Sequence, residues 1–288
     1  MISVIIPSRN RYPFVQDLLH DLSQQEIRAD EIIIVDQSDK PYPDLTCRHL
    51  IDDNIGPCHA KNIGLEKCTG EIIIFLDDDI RIETGFIKTI TTPIIEGRSN
   101  VVVGAILNAE GHYRNSSYPL WKQEGRDWLL SLTANPDDPG THQTLSFPTG
   151  CSAIHRSVFE KIGGFDEFFD PDGAGEDREY GLRIFHAGFS LLYEGKACVR
   201  HLGAPSGGRR SSATGYKYLN ALEANSVYIV AKYFSWSVFD RFCNTWLRSI
   251  RHRPIVSVRS IWHILKRYQE AKEIIVKIKK IKLGNNWG

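Results

Sequence analysis

The chain has 288 residues, 42% of them hydrophobic and 24% charged, with Lys+Arg 35 against Asp+Glu 35. This is the composition of a globular protein with a substantial core, and it excludes a disordered or collagen-like chain. The zero net charge averages two unlike parts: residues 248–288 carry eleven basic and two acidic side chains (+9), which leaves −9 on residues 1–247.

Four short runs rich in Ile and Val lie at residues 3–7, 31–36, 71–77 and 100–107. Most are apolar on both faces, the pattern of strands buried in a parallel sheet. Helical spacing of apolar residues fills the intervals at 12–25, 57–68 and 84–96. Strands alternating with helices predict an α/β layered fold. Residues 108–146 are polar and aromatic-rich and read as long loops. An apolar block at 147–154 is followed by helical stretches at 157–162 and 176–187, with a mixed run at 191–199 between them and the tail. From residue 216 onward the chain reads as helix.

No run of about 18 apolar residues exists to form a transmembrane helix. The N-terminal residues lack the pattern of a secretory signal. Cys47, Cys58, Cys68, Cys151, Cys198 and Cys243 are scattered, with no Cys-x-x-Cys pair, and read as thiols of a reducing compartment. The expected location is cytoplasmic.

Open α/β sheets bind ligands beyond the carboxyl ends of their strands. Three runs deliver polar residues there: Pro7-Ser8-Arg9, Asp36-Gln37-Ser38 and Asp77-Asp78-Asp79. Asp and Ser also open turns and cap helices, but three coincident strand ends point to a shared site. Adjacent carboxylates repel unless a cation neutralises them, and hard divalent ions favour carboxylate oxygens. A second acidic pair, Glu176-Asp177, follows the flexible run Asp172-Gly173-Ala174-Gly175. It reads either as a helix cap or as a general base carried into a cleft. His201 precedes a glycine-rich segment that contains Arg209 and Arg210.

Five segments then occur in a telling order: SVIIPSRNR at 3–11, IIIVDQS at 32–38, GPCHAKNIGL at 56–65, FLDDD at 75–79 and GEDREYGLR at 175–183. Together they resemble glycosyltransferase family 2, over roughly residues 1–215. The resemblance implies a GT-A fold: a Rossmann-like, mostly parallel sheet flanked by helices. A catalytic domain would span 1–215, its nucleotide-sugar half about 1–107 and its acceptor half about 108–215, with a helical extension at 216–288.

The same resemblance implies the site. Asp36 would accept the imino hydrogen of uracil or thymine, with Pro7, Ser8 and Arg9 lining the base and ribose pocket. Lys61 stands where the family has a basic residue, as a cation for the donor diphosphate at a helix start. Asp77 would contact ribose or metal-bound water and Asp79 would ligate Mn²⁺ or Mg²⁺. Asp78 would share either duty, and His201 would be a further metal or phosphate ligand. Asp177 would be the base, with Glu176 as the second choice. Gly150 and Cys151 would shape the donor and acceptor pocket, and Arg209 and Arg210 would fold over the diphosphate.

The implied activity is inverting transfer of a sugar from a UDP or dTDP sugar to a hydroxyl of a glycan or lipid-linked acceptor, as in cell-surface polysaccharide synthesis. A nucleotidyltransferase is the nearest enzymatic alternative. A degenerate, glycan-binding scaffold is the non-enzymatic one. In the tail, residues 259–283 place Ile261, Ile264, Leu265, Tyr268, Ile274, Ile275 and Ile278 at helical spacing among lysines and arginines. Such a helix suits an anionic membrane surface, which would make the protein peripheral on the inner face of the plasma membrane. Packing on the catalytic domain or in a homodimer is the alternative, and no motif points to nucleic acid.

Overall fold

In a computed structural model the protein is described over residues 1–43, 45–113, 138–171, 173–208 and 215–233. The chain divides into two compact units. Among the described residues, the first holds everything up to 208, and the second holds one helix, Gly215–Tyr233. Residues 114–137, within the stretch expected to form long loops, and the tail from 234, including the stretch at 259–283 expected to be an amphipathic helix, lie outside the described residues, as do Arg209 and Arg210.

The first unit runs β1 (Ile2–Ser8), α1 (Tyr12–Ser23), β2 (Glu31–Asp36), β3 (Arg48–Ile51), α2 (Pro57–Lys67), β4 (Ile72–Leu76), β5 (Ile80–Ile82), α3 (Phe86–Ile95), β6 (Val101–Leu107) and β7 (Thr141–Thr144). It continues with β8 (Cys151–His155), α4 (Arg156–Ile162), a 3-10 turn at Glu167–Phe169, α5 (Glu176–His186) and β9 (Leu191–His201). One sheet holds all nine strands, in the order β3-β2-β1-β4-β8-β6-β9-β5, with β7 pairing on β9.

The four strands β3, β2, β1 and β4 are mutually parallel; β1, β2 and β4 are predicted apolar runs, and β3 is an edge strand that the runs do not predict. The remainder is mixed. Strand β8 runs antiparallel to both β4 and β6, and β9 is parallel to β6 but antiparallel to β5 and β7. The two sequence halves therefore share one sheet, with β8 inserted between β4 and β6. Because Leu76 pairs with Cys151, β8 begins where β4 ends. Residues 77–79 and 149–151 thus meet at one edge.

Ile and Val suit these strands because branched side chains pack well on a pleat covered on both faces. Ile5, Ile6, Ile33, Ile34, Ile73 and Phe75 have no exposure. Val15, Leu18 and Leu22 of α1 and Ile87 and Ile90 of α3 bury their stripe against the same core. Pro13 sits in the first turn of α1, where its missing N–H costs nothing. Asp166 caps the 3-10 turn by accepting from the Phe168 N–H at 3.1 Å. The five described cysteines are all free thiols. Among the described residues no helix is long and apolar enough to cross a membrane.

Candidate active site

Strand β4 is apolar through Leu76, and the chain then turns through three aspartates into β5. The three carboxylates have different surroundings. Asp78 is 4% exposed; it accepts from Ser8 Oγ at 2.7 Å and from Arg11 Nη1 at 2.7 Å. Burial pushes its carboxyl up to about 6, although Arg11 works in the opposite direction. Asp79 is also buried. Its Oδ1 lies 3.3 Å from His201 Nε2, and its Oδ2 accepts from the Ala204 N–H at 2.9 Å. The Asp79 carbonyl accepts from the Leu202 N–H at 2.8 Å, which fixes the chain leaving β9. Asp77 is half-buried beside them.

Asp77, Asp79 and His201 offer ligand atoms that all lie within 4.8 Å of one another. Two carboxylates and an imidazole form a donor set that fits Mn²⁺, and Mg²⁺ through the oxygens. Strand pairing explains how His201 joins residues so distant in sequence, because it ends β9 opposite Ile80 at the start of β5.

Sequence reasoning missed Arg11. Its Nη1 is 2.7 Å from Asp78 and 3.3 Å from Asp79. Its Nε and Nη2 donate to the carbonyls of Ser206 and Gly207 at 3.0 and 3.3 Å. One guanidinium thus pairs with two of the three aspartates and ties down the segment after β9. Three adjacent carboxylates already signal a need for cations. That signal does not say that an arginine of the same chain meets part of it.

The base-pocket residues follow β1 and β2. Ser8 reaches Asp78 and shares a 2.7 Å hydrogen bond with Tyr42 Oη. Arg9 pairs with Asp39 at 3.2 Å. Pro7 is half-buried near the end of β1. Asp36 is more enclosed than its expected role requires. Its Oδ1 accepts from the Ser38 N–H at 2.9 Å, and its Oδ2 accepts from the Tyr42 N–H at 2.8 Å and lies 3.1 Å from His49 Nε2. Both oxygens are committed to the chain's own backbone and to His49, because a buried carboxylate without partners is costly.

Lys61 departs most from expectation. It points inward from α2, with Nζ donating to Glu176 Oε1 at 3.1 Å and to Thr149 Oγ1 at 3.0 Å. Its ammonium lies 4.8 Å from the centre of the Phe165 ring. Burial works against its charge, but neighbouring anions, Glu176 foremost, hold its pKa above the ordinary lysine value. The first turn of α2 is also occupied. The Asp170 carboxylate accepts from the N–H groups of Cys58 and His59 at 3.0 and 2.9 Å. Asp177 is next to Glu176 in the first turn of α5 and is half-buried.

Gly150 lies against the acidic edge. A Cβ there would stand 2.5 Å from Asp77 Oδ2 and 2.8 Å from its Cγ. Cys151, the next residue, is fully buried on β8, where burial pushes its thiol pKa up. The obstructed atoms belong to the mobile end of a short side chain. Gly150→Ala is therefore expected to displace the Asp77 carboxylate and to lower turnover by roughly 10-fold or more, with little change in melting temperature. Parallel turnover and thermal-melting measurements check this; an unstable variant with normal turnover per folded molecule would contradict it.

Comparison with known proteins agrees with this geometry. Residues 3–163 match the family described as "Glycosyl transferase family 2". The pre-mycofactocin glycosyltransferase of Mycobacterium tuberculosis is 27% identical over 212 residues, covering 69% of this chain and 42% of the relative. The GalNAc(5)-diNAcBac-PP-undecaprenol beta-1,3-glucosyltransferase of Campylobacter jejuni is 28% identical over 123 residues, covering 38% of this chain and 40% of the relative. The chain thus spans less than half the length of these relatives.

Among solved structures, S. aureus TarS 1-349 in complex with UDP-GlcNAc superposes with a TM-score of 0.64 at 14% identity, covering 94% of this chain and 80% of that one. GalNAc-T7 with UDP, GalNAc and Mn²⁺ gives 0.54 at 18% identity, covering 80% and 50%. These likenesses show the GT-A fold. The family match spans more than half the sequence, and the chain belongs to glycosyl transferase family 2.

Proposed function

We propose that this protein is an inverting, metal-dependent transferase that moves a sugar from a UDP or dTDP sugar to a hydroxyl of a glycan or lipid-linked acceptor. One observation carries the reading: Asp77, Asp79 and His201 cluster at the sheet edge, and Lys61 ties Glu176 to Thr149, the residue before the Gly150 that lies against Asp77. A donor-holding cluster and a candidate base thus serve one site. UDP in the structural neighbours and the undecaprenol-linked substrate in the name of one relative support the donor and acceptor classes.

In this mechanism Asp77, Asp79 and His201 hold Mn²⁺ or Mg²⁺, which supplies Lewis-acid stabilisation of the diphosphate charge. Arg11 neutralises Asp78 and keeps Asp79 in place. Ser8, Arg9 and Asp36 face the base and ribose. Asp177 takes the proton from the acceptor hydroxyl. The acceptor oxygen then bonds to the anomeric carbon as the carbon–oxygen bond to the diphosphate breaks. A single displacement inverts the anomeric configuration. Glu176 is the weaker candidate for the base, because its carboxylate is buried against Lys61. Peripheral membrane contact through 259–283 rests on the charge and periodicity of that stretch.

A thermal-shift screen of UDP and dTDP sugars with Mn²⁺ or Mg²⁺ tests the reading. At ~100-fold excess over Kd, a true donor is expected to raise the melting temperature by about 5 °C or more, and only with metal present. Nucleotide release must then follow when a glycan acceptor is added. No shift with any nucleotide sugar would refute the proposal. Binding without turnover on any acceptor would favour the scaffold alternative.

A further inference from the structure

The donor diphosphate needs a cation, and Lys61 is the basic residue that the family pattern offers for it. In the folded chain its side chain turns inward from α2. Its ammonium is enclosed: its side chain is 4% exposed, and Glu176, Thr149 and the Phe165 ring surround it. The backbone donors at the start of α2, the other feature that would attract a phosphate there, already bind the Asp170 carboxylate. Lys61 instead joins α2 to the first residue of α5.

That junction matters because of what precedes it. Gly175 caps α5 with φ 95°, in the left-handed region that glycine favours, and Gly173 has φ 57°. Neither glycine offers a side chain that could hold the first residue of the helix. The Lys61–Glu176 pair pins the first helical residue, and Asp177 is its neighbour. Asp77 adds to the field on the same ammonium.

We propose that Lys61 is a positioning residue that fastens Glu176, and with it the first turn of α5, so that Asp177 faces the acceptor, and that Lys61 makes no contact with the donor diphosphate. This rests on the reading of Asp177 as the base.

The test compares Lys61→Met, Lys61→Arg, Glu176→Gln and the double variant Lys61→Met/Glu176→Gln, each as the full chain. UDP affinity is measured by calorimetry with Mn²⁺. Turnover and KM are measured with the nucleotide sugar that the thermal-shift screen selects. All four variants are expected to bind UDP within about 3-fold of the parent. Lys61→Met is expected to lose roughly 100-fold in kcat with donor KM nearly unchanged, the scale of a misplaced catalytic group. The double variant should be no slower than Lys61→Met, because the two side chains act as one unit. Lys61→Arg should recover part of the loss.

A fall of 10-fold or more in UDP affinity in Lys61→Met, restored by Lys61→Arg, would make Lys61 a diphosphate ligand and overturn the proposal. If Lys61→Met fails to fold because it strands a buried carboxylate, the neutral double variant carries the comparison. Tight UDP binding with low kcat supports the proposal there, and lost binding overturns it. A parent protein that ignores UDP, dTDP and Mn²⁺ altogether would refute the transferase reading itself, a result distinct from any difference among the variants.

Discussion

Asp177→Asn is expected to lower kcat by roughly 10³-fold while leaving UDP affinity within a few-fold of the parent. The substitution keeps the size and shape of the side chain and removes only its ability to take a proton. Asp177 is half-buried in the first turn of α5, and its Oδ1 accepts from the Arg178 N–H at 2.8 Å. An asparagine oxygen can accept the same hydrogen bond, so the backbone has no reason to move. The substitution also gives up the interaction of a carboxylate with a helix N-terminus, about 0.3–1 kcal/mol. A large rate effect with small effects on binding and melting is therefore the signature of a base. Single-turnover measurements on both proteins check it, and equal rates would move the role away from Asp177. Glu176→Gln serves as the internal contrast. Its effect should appear through the Lys61 pair and should not add to that of Lys61→Met.

The second large effect separates neighbours within the aspartate triple. Asp79→Ala is expected to weaken Mn²⁺ binding on the order of 100-fold or more, since losing even a supporting contact of a metal ligand costs 10–100-fold. It also removes the acceptor that holds the Ala204 N–H and faces His201. Asp78→Ala should behave differently. Its carboxylate is engaged by Ser8 and Arg11 and is not one of the clustered ligand atoms. Removing it leaves Arg11 short of a buried partner, at a cost of about 3–5 kcal/mol. A drop of roughly 10 °C in melting temperature follows for a chain of this size, with Mn²⁺ affinity reduced much less. Titration of Mn²⁺ by electron paramagnetic resonance, alongside melting curves, distinguishes the two. The reverse pattern would put Asp78 in the ligand set.

The parts of the fold that could be read from the sequence were those with a strong physical cause. Strands β1, β2, β4 and β6 are Ile/Val runs because both faces are covered, and burial of that kind leaves few alternatives. Strand β3, Arg48-His49-Leu50-Ile51, sits at the sheet edge with every residue exposed or half-buried. Strand β7, Thr141-His142-Gln143-Thr144, is similar. An edge strand needs only one hydrogen-bonding neighbour and little apolar surface, so its composition resembles that of a loop. The antiparallel direction of β8 was also hidden, because an apolar run is the same in either direction.

The site divides in a similar way. The aspartate triple, the Glu176-Asp177 pair and His201 stand out because carboxylates and imidazole at strand and helix ends are expensive without a purpose. Lys61 is legible in the sequence as a cation, but the ion pair it makes in the folded chain is not. Its partner, Glu176, lies 115 residues away, and nothing local in the sequence links the two. Arg11 was passed over because Arg9 lies closer to the end of β1. Only the folded chain shows which of the two guanidiniums turns inward toward Asp78.

The placement of β8 also bears on how the molecule is made. When residues 1–107 have left the ribosome, β4 and β6 both exist in sequence, but the strand that belongs between them does not. Each is Ile/Val-rich, fully or nearly buried in the finished protein, and temporarily without a neighbour on that side. Unpaired apolar edges of this kind are where nascent chains associate wrongly. The same late insertion brings Gly150 against Asp77, and β9 then brings His201 to Asp79. Closing the sheet is thus what brings Asp77, Asp79 and His201 together, so the candidate metal site exists only in the folded chain.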